Sequence, residues 1–386
     1  MTIRKNMLKR IVLLALCFAM ILCTAACGKN KDEAIVPSEK KVAILVAPQT
    51  QYPEDYAAAM AVQKEYPDSV IVKEYADSRT LKAGDGEIIT LSEQIAADST
   101  VGAIIYARAT QFTDDAIYRA KSVNSQIVTV AIEPEDNIEH VADVATLVLT
   151  CDWNAAAADM VNAAKNAGAE YFVFFSVLRH TESKLVLKEA DAFRAACETA
   201  GIRFCSANGA DPIAAEGIPH AEKVIREQLG QLELNKEISG NNVALFSTDS
   251  SVQSALVELA ESKGMIYLSP NFPSAYGGMD THFDVAAPKK ITDTDTHVSD
   301  LKKAVKGAEG RYAVYNYSLM SDTVNAAVYC AFDFLNGTTN NGNLSDRIAL
   351  RYAQASDEKI VPVPYDSHIS NVWCGYKESA YTVIKK

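Results

Sequence analysis

With 386 residues, the chain is long enough for two domains of ordinary size. At 48% hydrophobic and 22% charged it can bury a sizeable core, which excludes a disordered protein. Lys and Arg total 37 against 49 Asp and Glu, a formal net charge of −12; with no basic stripe anywhere, a non-specific nucleic-acid binder is excluded as well.

The chain opens on Arg4, Lys5, Lys9 and Arg10, followed by the apolar run Ile11 to Leu22 and the small residues Thr24-Ala25-Ala26-Cys27-Gly28. The run falls short of the ~20 residues that cross a bilayer core, so it reads as an export signal. The segment resembles a bacterial lipoprotein signal. The resemblance implies cleavage before Cys27, acylation of its thiol with a diacylglyceryl group and further chains such as palmitate, and attachment to the outer face of the cell membrane. The alternative is an ordinary secretory signal cleaved near Ala26, with Cys27 incidental. Residues 1–26 are then signal peptide and residues 27–40, rich in Lys, Asp, Glu, Pro and Ser, a polar tether. Removing the signal leaves 33 basic against 49 acidic residues, a formal −16.

From Lys41 onward, short apolar runs alternate with helical patterns. Val42 to Val46 predicts a buried strand, Pro53 to Glu65 a helix and Ser69 to Val72 a strand. A helix follows at Gly86 to Ala97, a strand at Val101 to Tyr106, a helix at Thr113 to Val123, and strands at Gln126 to Ile132 and Ala145 to Leu149. Continuous apolar strands between helices predict a parallel sheet covered on both faces.

The pattern restarts with a helix at Trp153 to Ala167 and a C-cap at Gly168. Strands are predicted at Tyr171 to Phe175, Arg203 to Ser206, Asn242 to Phe246 and Met265 to Leu268. Helices fall between them at Glu182 to Ala200, His220 to Leu232 and Val252 to Lys263. The fold class is therefore α/β, with two Rossmann-like lobes. After Ile291 come a helix at Val298 to Ala304, the segment Arg311 to Asn316, a helix at Thr323 to Phe334, a Gly/Asn-rich loop and a further strand at Ile348 to Tyr352. This leftover block fits a chain that crosses back between lobes at a hinge: residues 41–152 plus part of 311–386 in an N-terminal lobe, residues 153–310 in a C-terminal one.

Beyond Cys27 the body holds Cys151, Cys197, Cys205, Cys330 and Cys374. Their odd number and irregular spacing indicate neither a disulfide framework nor a zinc site. Cys197 and Cys205 read as buried small hydrophobes.

Several segments carry a narrower likeness: Lys41-Val42-Ala43-Ile44, Ser176 to His180, Phe246-Ser247-Thr248-Asp249, and Tyr267 to Gly278. They resemble a domain-of-unknown-function family of clostridial and related bacterial lipoproteins, within the type I periplasmic-binding-protein fold. The resemblance implies a bilobed, monomeric trap for a small polar ligand, linked to the permease and ATPase of an ABC-type importer.

Ligands of open parallel sheets bind beyond the carboxyl ends of the strands. The residues so placed are Gln49, Ser78, Arg108 and Glu133 in the first lobe, and Arg179, His180, Asp211, Thr248, Asp249, Asn271 and Tyr276 in the second. Arg108 directly follows a buried strand and must reach solvent or find an anionic partner. Arg179 beside His180 can grip a carboxylate, a phosphate or a ring acceptor, or form an inter-lobe ion pair. Together the two arginines favour a ligand with an anionic or strongly accepting group. Ser247, Thr248 and Asp249 can cap a helix, contact ligand, or both. Tyr276-Gly277-Gly278 is a flap or a plain turn. The acidic run Glu133, Glu135, Asp136 and Glu139 with His140 reads as a solvated loop, and no metal or cofactor is assigned. No GxSxG, HExxH, Walker or GxGxxG motif is found, so an enzyme is not expected. A ligand sensor signalling to a membrane receptor is the runner-up, and an extracytoplasmic enzyme using Arg179, His180 and Asp249 is the third reading.

Overall fold

Apolar runs without polar alternation form the middle of each sheet. In β1 (Lys41–Val46), Val42 through Val46 are wholly buried, as a strand covered on both faces must be. The structure, a computed structural model, describes residues 33–384 apart from 48, 50–51, 76–85, 136, 178–183, 213–215, 271–277, 287–293, 308–309, 341, 358 and 379–380. Cys27, Ser78, Arg179, His180, Asn271 and Tyr276 thus lie outside the described residues.

After β1 come α1 (Pro53–Glu65), β2 (Val70–Glu74), α2 (Glu87–Ala97), β3 (Val101–Tyr106), α3 (Thr113–Val123), β4 (Val128–Ile132), α4 (Ile138–Val144) and β5 (Leu147–Cys151). The chain continues through α5 (Trp153–Ala167), β6 (Tyr171–Val177), α6 (Lys184–Ala200), β7 (Arg203–Gly209), α7 (Gly217–Leu234), β8 (Val243–Ser247), a short 3-10 turn (Ser250–Val252), α8 (Gln253–Lys263) and β9 (Ile266–Leu268). It ends with α9 (Met279–His282), α10 (Thr294–Ala304), β10 (Arg311–Tyr315), α11 (Leu319–Leu335), α12 (Leu344–Ala355), β11 (Val363–Asp366), β12 (Ile369–Gly375) and β13 (Tyr381–Ile384).

Two sheets result. The seven-stranded sheet runs β11-β12-β5-β4-β3-β1-β2 and the six-stranded sheet β13-β10-β9-β8-β6-β7. Pairing is parallel except at one edge of each, where β11 runs against β12 and β13 against β10. Residues Pro37–Lys386 form one unit. Within it the chain passes between the sheets three times: from β5 to α5, from β10 to α11, and from β12 to β13. Helix α5 packs on β9, β10 and β13, and α11 on α1, α12, β3 and β4.

Tyrosines gather at these crossings. Tyr315 stacks on Tyr376 with centroids 5.8 Å apart and meets Tyr381 at 5.2 Å and Tyr317 at 6.3 Å. Their hydroxyls tie separate strands together: Tyr315 donates to the Lys377 carbonyl, Tyr376 to Asp159 on α5, and Tyr381 to the Ser269 carbonyl. The Asp152 N–H donates to the Gly375 carbonyl, joining the first crossing to the third. Asp152 also caps α5 by accepting the Asn154 and Ala155 N–H groups. Gly168 ends that helix at φ 97°, in the left-handed region that glycine adopts without strain.

Two predicted elements are corrected. Ile348 to Tyr352 is not a strand but the middle of α12, whose buried residues Ile348, Arg351 and Tyr352 recur at helical spacing. The run looks strand-like only if Arg351 is counted as solvent-facing, whereas it is 2% exposed and answered by Asp333. The acidic run after β4 is not a solvated loop throughout: Glu133 is buried, and α4 starts where Asn137 accepts the Glu139 N–H. Cys151, Cys197, Cys205, Cys330 and Cys374 are all buried free thiols.

Candidate functional site

Beyond the carboxyl ends of β3 and β4, charged side chains are held out of water. Arg108 is 4% exposed and Asp55, in the first turn of α1, 1%. Its Nε and Nη2 donate to the two Asp55 oxygens at 2.7 and 3.1 Å, a bidentate fork. Burial opposes both charges. The attraction and hydrogen bonds of Asp55 outweigh it at Arg108, whose pKa is raised, so the guanidinium stays protonated. The Tyr52 ring lies 4.5 Å from the Arg108 guanidinium carbon, and the Tyr75 hydroxyl donates to the Arg108 carbonyl at 3.1 Å. Pro53 opens α1 with its ring at the first helical turn. Glu54 there accepts from the Ser318 hydroxyl at 2.7 Å, linking α1 to the β10–α11 crossing.

Glu133, at φ 47°, turns back toward β5. It accepts the Thr150 hydroxyl at 2.6 Å, the Cys151 N–H at 3.0 Å and the Trp153 indole N–H at 3.2 Å. Burial pushes its carboxyl up against these donors and the Arg108 charge, which pull it down. Trp153 begins α5 and packs against the hydrophobic clusters of both sheets. Opposite stands α6, whose buried stripe is Leu185, Glu189, Phe193 and Cys197. Leu185 belongs to the cluster of the first sheet, and the Lys188 Nζ lies 3.8 Å from the Tyr365 ring centroid of β11. The N-terminal part of α6 therefore bridges the two lobes. Glu189 is 4% exposed, its Oε1 has no hydrogen-bond partner, and burial followed by the Glu133 charge pushes its carboxyl well above the usual range.

Of the sequence-predicted residues, Arg108 and Glu133 come together at one sheet edge. Thr248 and Asp249 stand beyond β8 in the other lobe. The Thr248 N–H donates to the Phe175 carbonyl, while Asp249 accepts the N–H and hydroxyl of Ser251; this anchors the 3-10 turn Ser250–Val252, and α8 itself starts after Val252 with no side-chain cap. Asp211 follows β7, half-buried. Gln49 is exposed, and its N–H donates to Glu74. Sequence reasoning missed Glu54, Asp55 and Glu189. The acidic pair after Pro53 at a helix start was one signal, and a Glu in the apolar i, i+4 stripe of α6 was the other. Among the described residues no cluster of three or more His, Cys, Asp or Glu could hold a metal.

At the second crossing the Tyr317 hydroxyl donates to Asp322, whose carboxyl burial pushes up to about 8, with Lys359 the main opposing charge. A folded-state value above the ordinary 3.8 means that the native protein holds an extra proton between the two. Its stability contribution is therefore complete below about pH 4 and lost as pH rises toward 8, at up to ~1.4 kcal/mol per pH unit. Asp322→Asn is expected to flatten that decline, as read from urea midpoints across the window.

Each lobe is an open, mostly parallel sheet with helices, and three chain crossings join the two; this is the type I periplasmic-binding-protein fold. A Clostridium difficile 630 protein, provisionally described as a transcriptional regulator, matches with TM-score 0.67 and 14% identity, over 90% of this chain and 100% of its own. An ABC transporter solute-binding protein from Clostridium phytofermentas with bound L-rhamnose matches with TM-score 0.50 and 10% identity, over 91% and 97%. No curated protein matches in sequence. The model of a protein family described as "Protein of unknown function (DUF3798)" matches residues 40–313, most of both lobes, and the chain belongs to that family.

Proposed function

We propose that this protein is a solute-binding lipoprotein, held by Cys27 at the extracytoplasmic face of the cell membrane, that closes its lobes on a small polar ligand and delivers it to an ABC-type importer. The reading rests chiefly on one observation: buried charged groups line the carboxyl edge of the first sheet beside the crossings, with Arg108–Asp55 and Glu133 toward the bridging helix α6. Charges held out of water are costly unless partnered, so they collect where function needs them. Hinge segments let ligand contacts from both lobes select one closed shape, which a permease can read. The fold shared with a rhamnose-bound receptor agrees with this reading, as does the export signal. The protein acts as a monomer and performs no chemistry on its cargo.

A thermal-shift series with sugars, nucleosides, amino acids, vitamins and short peptides tests the binding role. A ligand at a hundred times its Kd adds about 2.7 kcal/mol to the folded state, a shift of a few degrees. A concentration-dependent rise with one class is expected; a flat response to all of them contradicts the reading. For the anchor, Cys27→Ser is expected to abolish palmitate incorporation and release the protein from membranes, as measured by labelling and fractionation. Retention of the label refutes acylation at Cys27.

A further inference from the structure

Helix α6 has a foot in each lobe. Phe193 and Cys197 are wholly buried in the cluster of the second sheet, while Leu185, near the helix start, lies in the buried cluster of the first. Lys188, on the next turn, also reaches the first lobe: its Nζ stands 3.8 Å from the ring centroid of Tyr365 on β11, the outermost strand of that sheet. A helix of 17 residues is a rod of about 25 Å that moves as one piece. With its later turns fixed in the second lobe, any motion of lobe on lobe draws Leu185 out of the first lobe and Lys188 off the Tyr365 ring.

The composition of that end suits a contact that separates. A permanent core would carry apolar side chains all along the stripe Leu185, Glu189, Phe193 and Cys197. Glu189 interrupts it, buried and with Oε1 unpartnered, and a carboxyl without a hydrogen-bond partner is better served by water in either protonation state. Lys188 likewise regains full hydration when it leaves the ring. Among the described residues of α6, Leu185 alone belongs to the first lobe's cluster, and Leu187 on the same turn is 51% exposed. Little apolar surface is therefore uncovered on opening, and the seam is of the mixed kind found between domains that move. The crossings differ: their stacked tyrosines are tied by hydroxyl bonds to Asp159 and to backbone carbonyls, which keeps them together as a pivot.

We propose that the start of α6 is a latch: Leu185 seated in the first lobe's cluster and Lys188 over Tyr365 hold the lobes together in the ligand-free protein, and release of this contact opens the cleft. The inference rests on the solute-binding reading for its purpose. The resting receptor is shut by its own side chains, and solute enters through a minor open form whose population the latch sets. Leu185, Lys188 and Tyr365 are positioning residues that act through the arrangement of the lobes.

The test measures the lobes and uses no ligand, so its result is independent of the thermal-shift series that judges the solute-binding reading. Nitroxides at Tyr118→Cys on α3 of the first lobe and Leu234→Cys on α7 of the second, both exposed, report the interlobe distance by double electron–electron resonance in the purified full chain. Cys17→Ser, Cys23→Ser and Cys27→Ser remove the other thiols outside the body, whose own cysteines are buried. A Met60→Cys and Tyr118→Cys pair within the first lobe is the control. The labelled parent is expected to show one interlobe distance, with a longer one in less than about a tenth of molecules. Leu185→Ala with Lys188→Ala, which keeps the helix propensity high, is expected to raise the longer population at least about fivefold while the control distance stays unchanged. Tyr365→Leu, which keeps apolar bulk without the ring face, gives a smaller rise of the same sign. A parent that already holds mainly the longer distance overturns the latch, because the contact then fails to keep the lobes together. Unchanged interlobe distances in the α6 variant overturn it as well, since the start of α6 is then a fixed part of one body. If the double variant disturbs the control distance, Lys188→Ala alone, which leaves the cluster filled, carries the test with the same two outcomes.

Discussion

Arg108→Met is expected to destabilise the protein by about 3–5 kcal/mol, because it leaves the Asp55 carboxylate buried with its bidentate partner removed. The methionine fills the space beside Tyr52 and so removes the charge without opening a cavity of comparable size. Burial then acts on Asp55 without the opposing guanidinium, and its carboxyl takes up a proton more readily. The deficit should therefore shrink as pH falls and grow as it rises. Replacing both partners, Arg108→Met with Asp55→Leu, is expected to recover most of the loss, since two apolar groups need no countercharge. Urea unfolding of the two single variants and the double variant gives the coupling directly. A single-variant loss below about 1 kcal/mol would show that water reaches this pair.

The second large effect lies at the α11–α12 contact. Asp333 receives two guanidiniums: Nε of Arg347 and Nε of Arg351 donate at 2.9 and 2.8 Å to one oxygen, and their Nη2 atoms at 2.5 and 2.6 Å to the other. Burial raises the Asp333 carboxyl, yet the two cations overcome it and hold it below the usual range. Its contribution is thus complete above the ordinary carboxylate value and lost as pH falls through the depressed one. Asp333→Ala is expected to cost about 3–5 kcal/mol, since it leaves Arg351 charged and almost wholly buried. Arg347→Ala should cost only about 1 kcal/mol, because Asp333 still faces Arg351. Hydrogen exchange should accelerate in α12 for the Asp333 variant and change little for the Arg347 variant. Equal effects of the two would mean that the carboxylate is not shared in this way.

Both pairs mark where sequence reading ends. Strands β1, β3 and β6 are legible because a run such as Val42 to Val46 has no polar residue to misplace. Strands β11 and β12 are not, because Val363–Asp366 and Ile369–Gly375 interrupt their apolar residues with Pro, Asp, Ser and Asn. Arg108 could be placed at a strand end, and its need for an anion stated, but the partner stands 53 residues away on another element. Arg351 disguised a helix as a strand for the same reason: its charge is neutralised by a residue that local pattern does not reveal. Glu189 was visible as a charge at a core position of α6. What it meets there depends on how a second lobe is set against the first, and no local spacing carries that information.

The crossings also govern when the molecule can be completed. Strand β12 lies inside the first sheet, between β11 and β5, and β13 closes the edge of the second. Neither sheet has all its strands until the ribosome has passed residue 375 for one and residue 384 for the other. These late, long-range pairings make for slow final assembly. A nascent chain of this kind therefore keeps both sheets incomplete until its last two strands have been made.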